Sequence, residues 1–253
     1  MILVTGASGT LGGVLVPMLA ARGEQVRALS RRARYGSAGL GEWAVGDLNS
    51  GAGLDEAMRG VDVIVHAASN TRRQGKGDTG AAWHLIEAAK RGGGQPHLVY
   101  ISIVGVDRHP LTYYRTKFEV EQAIEASGLP HTILRTTQWF QLLDRVLNVA
   151  AKAPVLPVPS ISFQPLDATE AAARLAELAV GDPQGRAADM GGPEVLGMED
   201  IARSWLRTTG TRRLLLPVRV PGKVGRAFRA GLQNAPESRE GKTTWVEYLR
   251  ATY

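Results

Sequence analysis

Met1-Ile2-Leu3-Val4-Thr5-Gly6-Ala7-Ser8-Gly9-Thr10-Leu11-Gly12-Gly13 is the stretch that decides how this chain folds. Its first four residues form an apolar, β-favouring run, and the glycines that follow lead into an amphipathic helix pattern over residues 11–22. A buried strand that turns through glycines into a helix start is a phosphate-binding device. The first N–H groups of the helix have no partners within it, and the helix dipole adds partial positive charge there. Gly6 is expected to permit the tight turn, Gly9 a close approach of a pyrophosphate, and Gly12 close packing of helix on strand. Ser8, Thr10 and Leu11 complete the expected binding loop. An ordinary βα turn is the alternative, but a glycine pattern between a strand and a helix favours a dinucleotide.

Outward from this stretch, strand-like runs at residues 2–6, 25–30, 42–46, 61–67, 97–103 and 131–135 alternate with helical patterns. The helices fall at residues 11–22, 54–59, 78–91 and 113–127. Such alternation predicts an α/β fold, a doubly wound parallel sheet of Rossmann type. Short Val/Ile-rich strands suit burial on both faces. Glycine-rich stretches at 36–41 and 92–94 read as loops.

Beyond residue 150 the pattern changes. Pro154, Pro157, Pro159 and Pro165 break up the chain, helices are expected at 167–180 and 198–209, and a strand at 214–218. Residues 221–253 read as basic and irregular, with one last helical turn near 245–250. The expected organisation is an NADP-binding domain over 1–150 and a small substrate lobe over 151–253 that completes the fold above the carboxyl ends of the strands.

With 253 residues the chain can bury a full core. It has no cysteine, which excludes disulfides and thiolate metal sites, and no metal site is expected. A strand beginning at Met1 leaves no room for a signal peptide, and no apolar run approaches the length of a membrane span. A cytoplasmic location without membrane association is therefore expected. The net charge of +6 comes from scattered groups such as Arg31, Arg32 and Arg34, Arg72 and Arg73, Arg212 and Arg213, and Arg226 and Arg229. No helix-turn-helix, zinc-ligand or RNP-type pattern accompanies them, so nucleic acid is not the expected partner. The oligomeric state stays open.

The end of the second strand reports which dinucleotide fits. NAD-binding versions usually place an acidic residue there for the ribose hydroxyls. This chain reads Leu29-Ser30-Arg31-Arg32, a hydroxyl and two guanidinium groups that suit a 2′-phosphate. NADP(H) is the expected cofactor; solvated loop arginines are the alternative. At the next strand end, Asp47 and Leu48 are placed to bond the adenine amino group and flank its ring, although Asp47 equally suits a turn cap. His66-Ala67-Ala68-Ser69 ends the fourth strand with small residues, Ala67 and Ala68 among them, that let the backbone approach the ribose, although His66 equally suits a satisfied strand-end histidine.

Tyr113 and Lys117 stand four apart at the start of the helix after strand five, on one face. An ammonium beside a phenol is expected to lower its pKa and make it a better acid at neutral pH, and Lys117 is also expected to bond the nicotinamide ribose. A surface pair is the bland alternative, and Tyr114 a rival for the tyrosine role.

With these residues in view, the chain resembles the atypical short-chain dehydrogenase/reductase superfamily, in its NmrA-like branch. The resemblance rests on residues 5–12, on Gly46-Asp47-Leu48, on His97-Leu98-Val99-Tyr100-Ile101-Ser102, and on Tyr113-Tyr114-Arg115-Thr116-Lys117. It continues through Ser127-Gly128-Leu129-Pro130, Thr132-Ile133-Leu134-Arg135 and Phe140, and covers residues 1 to about 180. It implies that Ser102 orients a substrate carbonyl. Members with two consecutive serines use the second, whereas here Ile103 follows, and strand termination is the other role for Ser102. Gln138, Trp139 and Phe140 read as pocket lining or, equally, as a core-facing turn. The activity implied is an NADPH-dependent oxidoreductase that reduces a small carbonyl or quinone by hydride transfer. A non-catalytic NADP(H)-sensing regulator is the alternative, and a nucleotide-sugar epimerase or dehydratase the third reading.

Overall fold

The computed structural model describes residues 1–32 and 41–253. Arg34, residues 36–40 of the expected glycine loop and the Arg72 side chain lie outside the described residues. In chain order the elements begin β1 (Ile2–Thr5), α1 (Gly12–Ala21), β2 (Val26–Ser30), β3 (Glu42–Val45), α2 (Leu54–Ala57), β4 (Val63–His66), α3 (Asp78–Arg91), β5 (His97–Ile103), α4 (Thr112–Glu125) and β6 (His131–Thr136). They continue with α5 (Phe140–Ala150), β7 (Val155–Pro159), β8 (Ser162–Phe163), α6 (Ala168–Val180), β9 (Gly185–Arg186) and β10 (Leu196–Gly197). The last are α7 (Met198–Thr209), β11 (Leu214–Val218), α8 (Gly222–Arg229) and α9 (Trp245–Thr252).

The main sheet has seven parallel strands in the order β3-β2-β1-β4-β5-β6-β9. From β1 the chain winds outward to β3, then crosses back to β4 on the other side of β1 and winds outward the opposite way. That reversal puts the switch point between the carboxyl ends of β1 and β4, where open α/β sheets bind ligands. The doubly wound fold expected from the alternating pattern is the fold observed.

The chain divides into two compact units that interleave, whereas the sequence reading drew one line at about residue 150. One unit holds Met1–Ser102, Thr112–Leu134 and Ala171–Ala187; the other holds Ile103–Leu111, Arg135–Glu170 and Ala188–Tyr253. In the first, β1 is buried at every position and β5 at six of seven, as a strand covered on both faces requires. Its core joins Leu3, Ile64 and Leu98 from the sheet to Leu85 and Ile86 of α3 and Ile124 of α4. On α3 the buried pairs Ala81–Ala82, Leu85–Ile86 and Ala88–Ala89 recur at helical spacing and form one apolar stripe.

The second unit has its own core of Phe140, Leu143, Leu147, Ile201, Trp205, Trp245 and Leu249. Three features here differ from the sequence reading. Helix α5 occupies a stretch not read as an element. The proline-broken stretch contains β7, which pairs in parallel with β11. Each strand of a two-stranded sheet needs ladder bonds on one side only, so Pro157 and Pro159 are tolerated there. In residues 221–253, read as irregular up to a last helical turn near 245–250, α8 is an unexpected helix. The expected turn is α9, which opens with a capping box in which Thr244 and Glu247 satisfy each other's N–H groups. Among the described residues no helix is long and apolar enough to cross a membrane.

Candidate functional site

The glycine turn is built as the spacing requires. Gly6 sits at φ +69°, and a Cβ there would meet the Ala67 carbonyl and the Ala68 nitrogen at 2.7 Å. Only glycine lets the end of β1 lie this close to the end of β4. A Cβ on Gly12 would lie 2.3 Å from the Gly6 carbonyl oxygen, so the helix start rests directly on the turn. Leu11, the residue before α1, gives no side-chain cap.

Around this turn the first unit opens a cleft of about 1350 Å³. Its walls bring together Gly6, Ser8 and Gly9 from the turn, Ser30, Arg31 and Arg32 from the end of β2, Asp47 and Leu48 after β3, and Ala67 and Ala68 after β4. Residues predicted at four successive loops thus meet in one cavity. Thr10 and Gly12 belong to the turn and helix start, and the Leu11 side chain is buried, leaving only its main chain to offer a ligand. Arg31 and Arg32 are exposed. Asp47 already serves as a turn cap, its Oδ1 accepting from the Asn49 main-chain N–H at 3.0 Å and from Asn49 Nδ2 at 3.2 Å.

The cleft also recruits residues to which the sequence reading gave no side-chain role in the site: Ser69, Asn70, Arg73, Lys76 and Asp78. Ser69 donates to Asp78 Oδ2 at 2.5 Å, and the Asn70 N–H donates to Asp78 Oδ1 at 3.0 Å. Asp78 opens α3, so its position in a first helical turn marks a stabilised carboxylate, but no motif joins it to Ser69. The loop between them is tightly turned, with Gln74, Gly75 and Gly77 all at positive φ. A Cβ on Gly75 would touch Thr116 at 3.0 Å and Tyr113 at 3.3 Å, so this loop packs on the start of α4.

Tyr113 reaches the cleft wall through Ser69, its hydroxyl 3.0 Å from the Ser69 Oγ. Lys117 does not reach toward that hydroxyl. It is 4% exposed, donates to the Ile101 carbonyl at 2.7 Å, and lies 4.2 Å from the Tyr100 ring centroid. Burial pulls its pKa down to about 8, against the opposing pull of Asp78 and Glu121. The expected lowering of the Tyr113 pKa is therefore corrected. Burial pushes this phenol up, the Ser69 hydrogen bond pulls it down, and Asp78 pushes it up. Tyr114, the rival tyrosine, is buried.

Beneath the cleft, Thr5 Oγ1 and His66 Nδ1 lie 2.8 Å apart, and the Ala68 N–H donates to the same hydroxyl. Burial, with Lys117 adding to it, lowers the His66 pKa to about 3, so this imidazole is neutral. Ser102, at the end of β5, is 2% exposed, and its Oγ has no hydrogen-bond partner among the described residues. Such an orphan costs about 1–3 kcal/mol unless a ligand completes it.

In the second unit, Phe140 is fully buried against Trp245 and Tyr248, so its core role is the one realised. Gln138 donates to the Gln233 carbonyl at 2.9 Å, and Trp139 Nε1 to Thr136 Oγ1 at 3.1 Å. Among the described residues no group of three acidic, histidine or cysteine side chains could hold a metal ion.

Comparison with known proteins agrees with this geometry. The model of a family described as NAD(P)H-binding matches residues 6–145. A reductase of (4-alkanoyl-5-oxo-2,5-dihydrofuran-3-yl)methyl phosphate from Streptomyces griseus is 30% identical, over 95% of this chain and 88% of that protein. Photosystem II assembly factor Ycf39 of Cyanophora paradoxa is 32% identical over 55% of this chain, a match spanning 46% of that protein. Among solved structures, an NADPH-dependent quinone oxidoreductase of Escherichia coli superposes with TM-score 0.79 at 18% identity, covering 100% of this chain and 99% of that one. A triphenylmethane reductase of Citrobacter sp. complexed with NADP(H) gives TM-score 0.73 at 19% identity, covering 98% and 94%. At these identities the structural likeness establishes the fold.

Proposed function

The chain belongs to the NAD(P)H-binding family, as an NAD(P)H-dependent oxidoreductase, and we propose that it is specific for NADPH and reduces a small carbonyl or quinone. The observation that carries this reading is the Ser102 hydroxyl, buried without a partner among the described residues at the carboxyl end of the strand next to β4. A donor kept in that state fits a substrate oxygen that completes it.

Gly6, Ser8, Gly9 and the main chain at the start of α1 would hold the pyrophosphate, with Thr10, Leu11 and Gly12 shaping that turn. Ser30, Arg31 and Arg32 would take the 2′-phosphate, Asp47 and Leu48 the adenine, and Ala67 and Ala68 the ribose. When bound, the nicotinamide supplies hydride to the substrate carbon. Ser102 would donate to the substrate oxygen, and Tyr113 would give it a proton as it gains negative charge. Lys117 would hold the ribose and present positive charge beneath the site.

Fluorescence titration with NADPH and NADH, followed by a panel of ketones, quinones and a phosphorylated unsaturated lactone, tests this reading. The lactone enters because the Streptomyces relative acts on such a phosphate, and Arg73 and Lys76 add two cations to the cleft wall. Tight NADPH binding with turnover is the expected result; preference for NADH overturns the cofactor assignment.

Binding without turnover would favour the second reading, a cofactor-binding regulator. Its support is the assembly-factor relative, together with a Lys117 amine engaged on the Ile101 carbonyl. Nucleotide-sugar chemistry stands third. Arg213, a candidate for its diphosphate, is occupied by the Ala151 and Arg212 carbonyls.

A further inference from the structure

Ser69 has a single proton to give, and its destination fixes the direction of a chain of hydrogen bonds. The 2.5 Å contact to Asp78 Oδ2 has the length of a bond from a hydroxyl to a charged acceptor. Asp78 is 7% exposed, and its other oxygen is held by the Asn70 N–H, so the carboxylate is fixed at both ends. With the serine proton committed to Asp78, the 3.0 Å contact between Ser69 and Tyr113 can run only one way: the phenol donates and the serine accepts.

We propose that Asp78, acting through Ser69, is the positioning residue that holds the proton on Tyr113 and restores it after each transfer. This rests on the reading of Tyr113 as proton donor to a carbonyl. As the carbonyl carbon takes hydride, the Tyr113 O–H bond breaks and an O–H bond forms on the substrate oxygen. Ser69 turns from Asp78 and passes its proton to the phenolate. Water in the cleft, whose wall includes Ser69 and Asp78, delivers a proton to the carboxylate, which hands it on to Ser69 and so returns to its charged form. Each turnover thus consumes one hydride from NADPH and one proton from solvent.

The titratable groups that interact with Tyr113 are Asp78 on α3 and Tyr100 on β5, and behind them Glu121 and Lys117 on α4 face Tyr100. Two of its neighbours act on the phenol in opposite senses. Once the phenol ionises, the Ser69 hydroxyl can turn from Asp78 and donate to the phenolate, which favours that form, whereas the Asp78 charge disfavours it. A merely structural loss would move Tyr113 the same way whichever residue was changed.

The test is carbon-13 NMR of protein labelled at the tyrosine ring carbon bearing oxygen, titrated from about pH 7 to about pH 12. The Tyr113→Phe spectrum identifies the resonance. Asp78→Asn is expected to move the Tyr113 titration to lower pH, and Ser69→Ala to higher pH. Shifts in the same direction, or none, overturn the proposal. Should Asp78→Asn fail to fold for want of its bond to Asn70, Ser69→Ala decides alone, because it leaves that bond intact; no upward shift then overturns it. On a ketone substrate Ser69→Ala should lower kcat about tenfold, with Ser69→Thr restoring it. If Tyr113→Phe abolishes ketone reduction and Ser69→Ala does not, the relay alone is wrong. If Tyr113→Phe retains full activity, the tyrosine role falls and the relay with it.

Discussion

The two units bury polar side chains to different ends. In the first, one pair, His97 with Thr132, joins the starts of β5 and β6, but most gather at the carboxyl ends of β1, β4 and β5. There Thr5 meets His66, Ser69 meets Asp78, Lys117 meets the Ile101 carbonyl, and Ser102 meets no partner among the described residues. In the second, they tie together stretches far apart in the chain. Gln138 holds Gln233, Gln164 holds the Gly192 and Ser238 carbonyls, and Glu170 Oε1 takes the Lys242 and Thr243 N–H groups with the Thr243 hydroxyl. Burial of a polar group thus has two uses here. One leaves perturbed or unspent groups beside a cleft; the other spends every donor it can on the chain's own backbone.

If the second unit's buried groups are architectural, damage there should cost stability without touching the nucleotide. Trp245 is the strongest case. Its ring lies 1% exposed among Phe140 and Tyr248, and its N–H is shared between the Ile201 carbonyl and Ser204 Oγ. Trp245→Ala should lower unfolding free energy by about 4 kcal/mol, a large share of a domain's stability. Urea denaturation measures this, and NADPH titration of the folded variant should return an unchanged affinity. Lost affinity at retained folding would break the division of labour.

The reverse experiment strikes the glycine turn. In Gly12→Ala the new Cβ meets the Gly6 carbonyl oxygen and the Ala7 Cα, backbone atoms that cannot step aside as a side chain would. Strain of about 3 kcal/mol is expected. Because the displaced turn is the proposed pyrophosphate cradle, NADPH affinity should collapse along with stability. Full NADPH affinity in this variant would sink the cradle assignment.

This contrast also explains what the sequence disclosed. The turn at Gly6–Gly12 was legible because a tight turn and a close helix approach each demand glycine at a fixed offset, and no other residue substitutes. The long β5 and α3 were found to the residue, since burial on both faces and a single apolar stripe leave clear periods. Helix α5 was missed although its residues are patterned: exposed Leu142, Val146 and Val149 widen the apolar face of Phe140, Leu143 and Leu147, and Gln141, Asp144, Arg145 and Asn148 form the polar face. The pairing of Ser69 with Asp78 was missed for another reason. Their contact depends on the loop turned by Gln74, Gly75 and Gly77, and nothing local in either residue reports where that loop returns. The direction of the Tyr113 shift was misread because spacing on a helix places Lys117 on the same face without saying which acceptor its amine will choose.

Lys117 offers a test in which function and stability part company. Its ordinary pKa of 10.5 falls to about 8 in the fold, so the unfolded chain holds the proton more tightly. The cost of burying the charge is fully present below about pH 8 and fades as pH rises toward 10.5, where stability should climb. Lys117→Met should therefore gain about 2 kcal/mol at pH 7, after allowance for the Ile101 carbonyl left without its donor. That gain should shrink above pH 8, while reductase activity is lost. Thermal unfolding across this range checks the sign. A variant less stable than the parent at pH 7 would mean that Lys117 serves the architecture, like the polar groups of the second unit.

The smallest effect falls on the most exposed residues. Arg31 and Arg32 follow Ser30 at the tip of β2 and stand in solvent on the cleft wall, beside a strand end with no carboxylate. Solvent-exposed guanidinium groups make no measurable contribution to the fold on their own, so Arg31→Ala combined with Arg32→Ala should leave unfolding free energy within about 0.5 kcal/mol of the parent. Against a phosphate they act differently, since a paired, bidentate contact forms only when the ligand arrives. The double variant should weaken NADPH about tenfold and leave NADH unchanged, because NADH has no 2′-phosphate to lose. Equal weakening of both nucleotides would instead assign the arginines to the pyrophosphate that the two share, and would move the cofactor preference of this chain to some residue other than the pair at the end of β2.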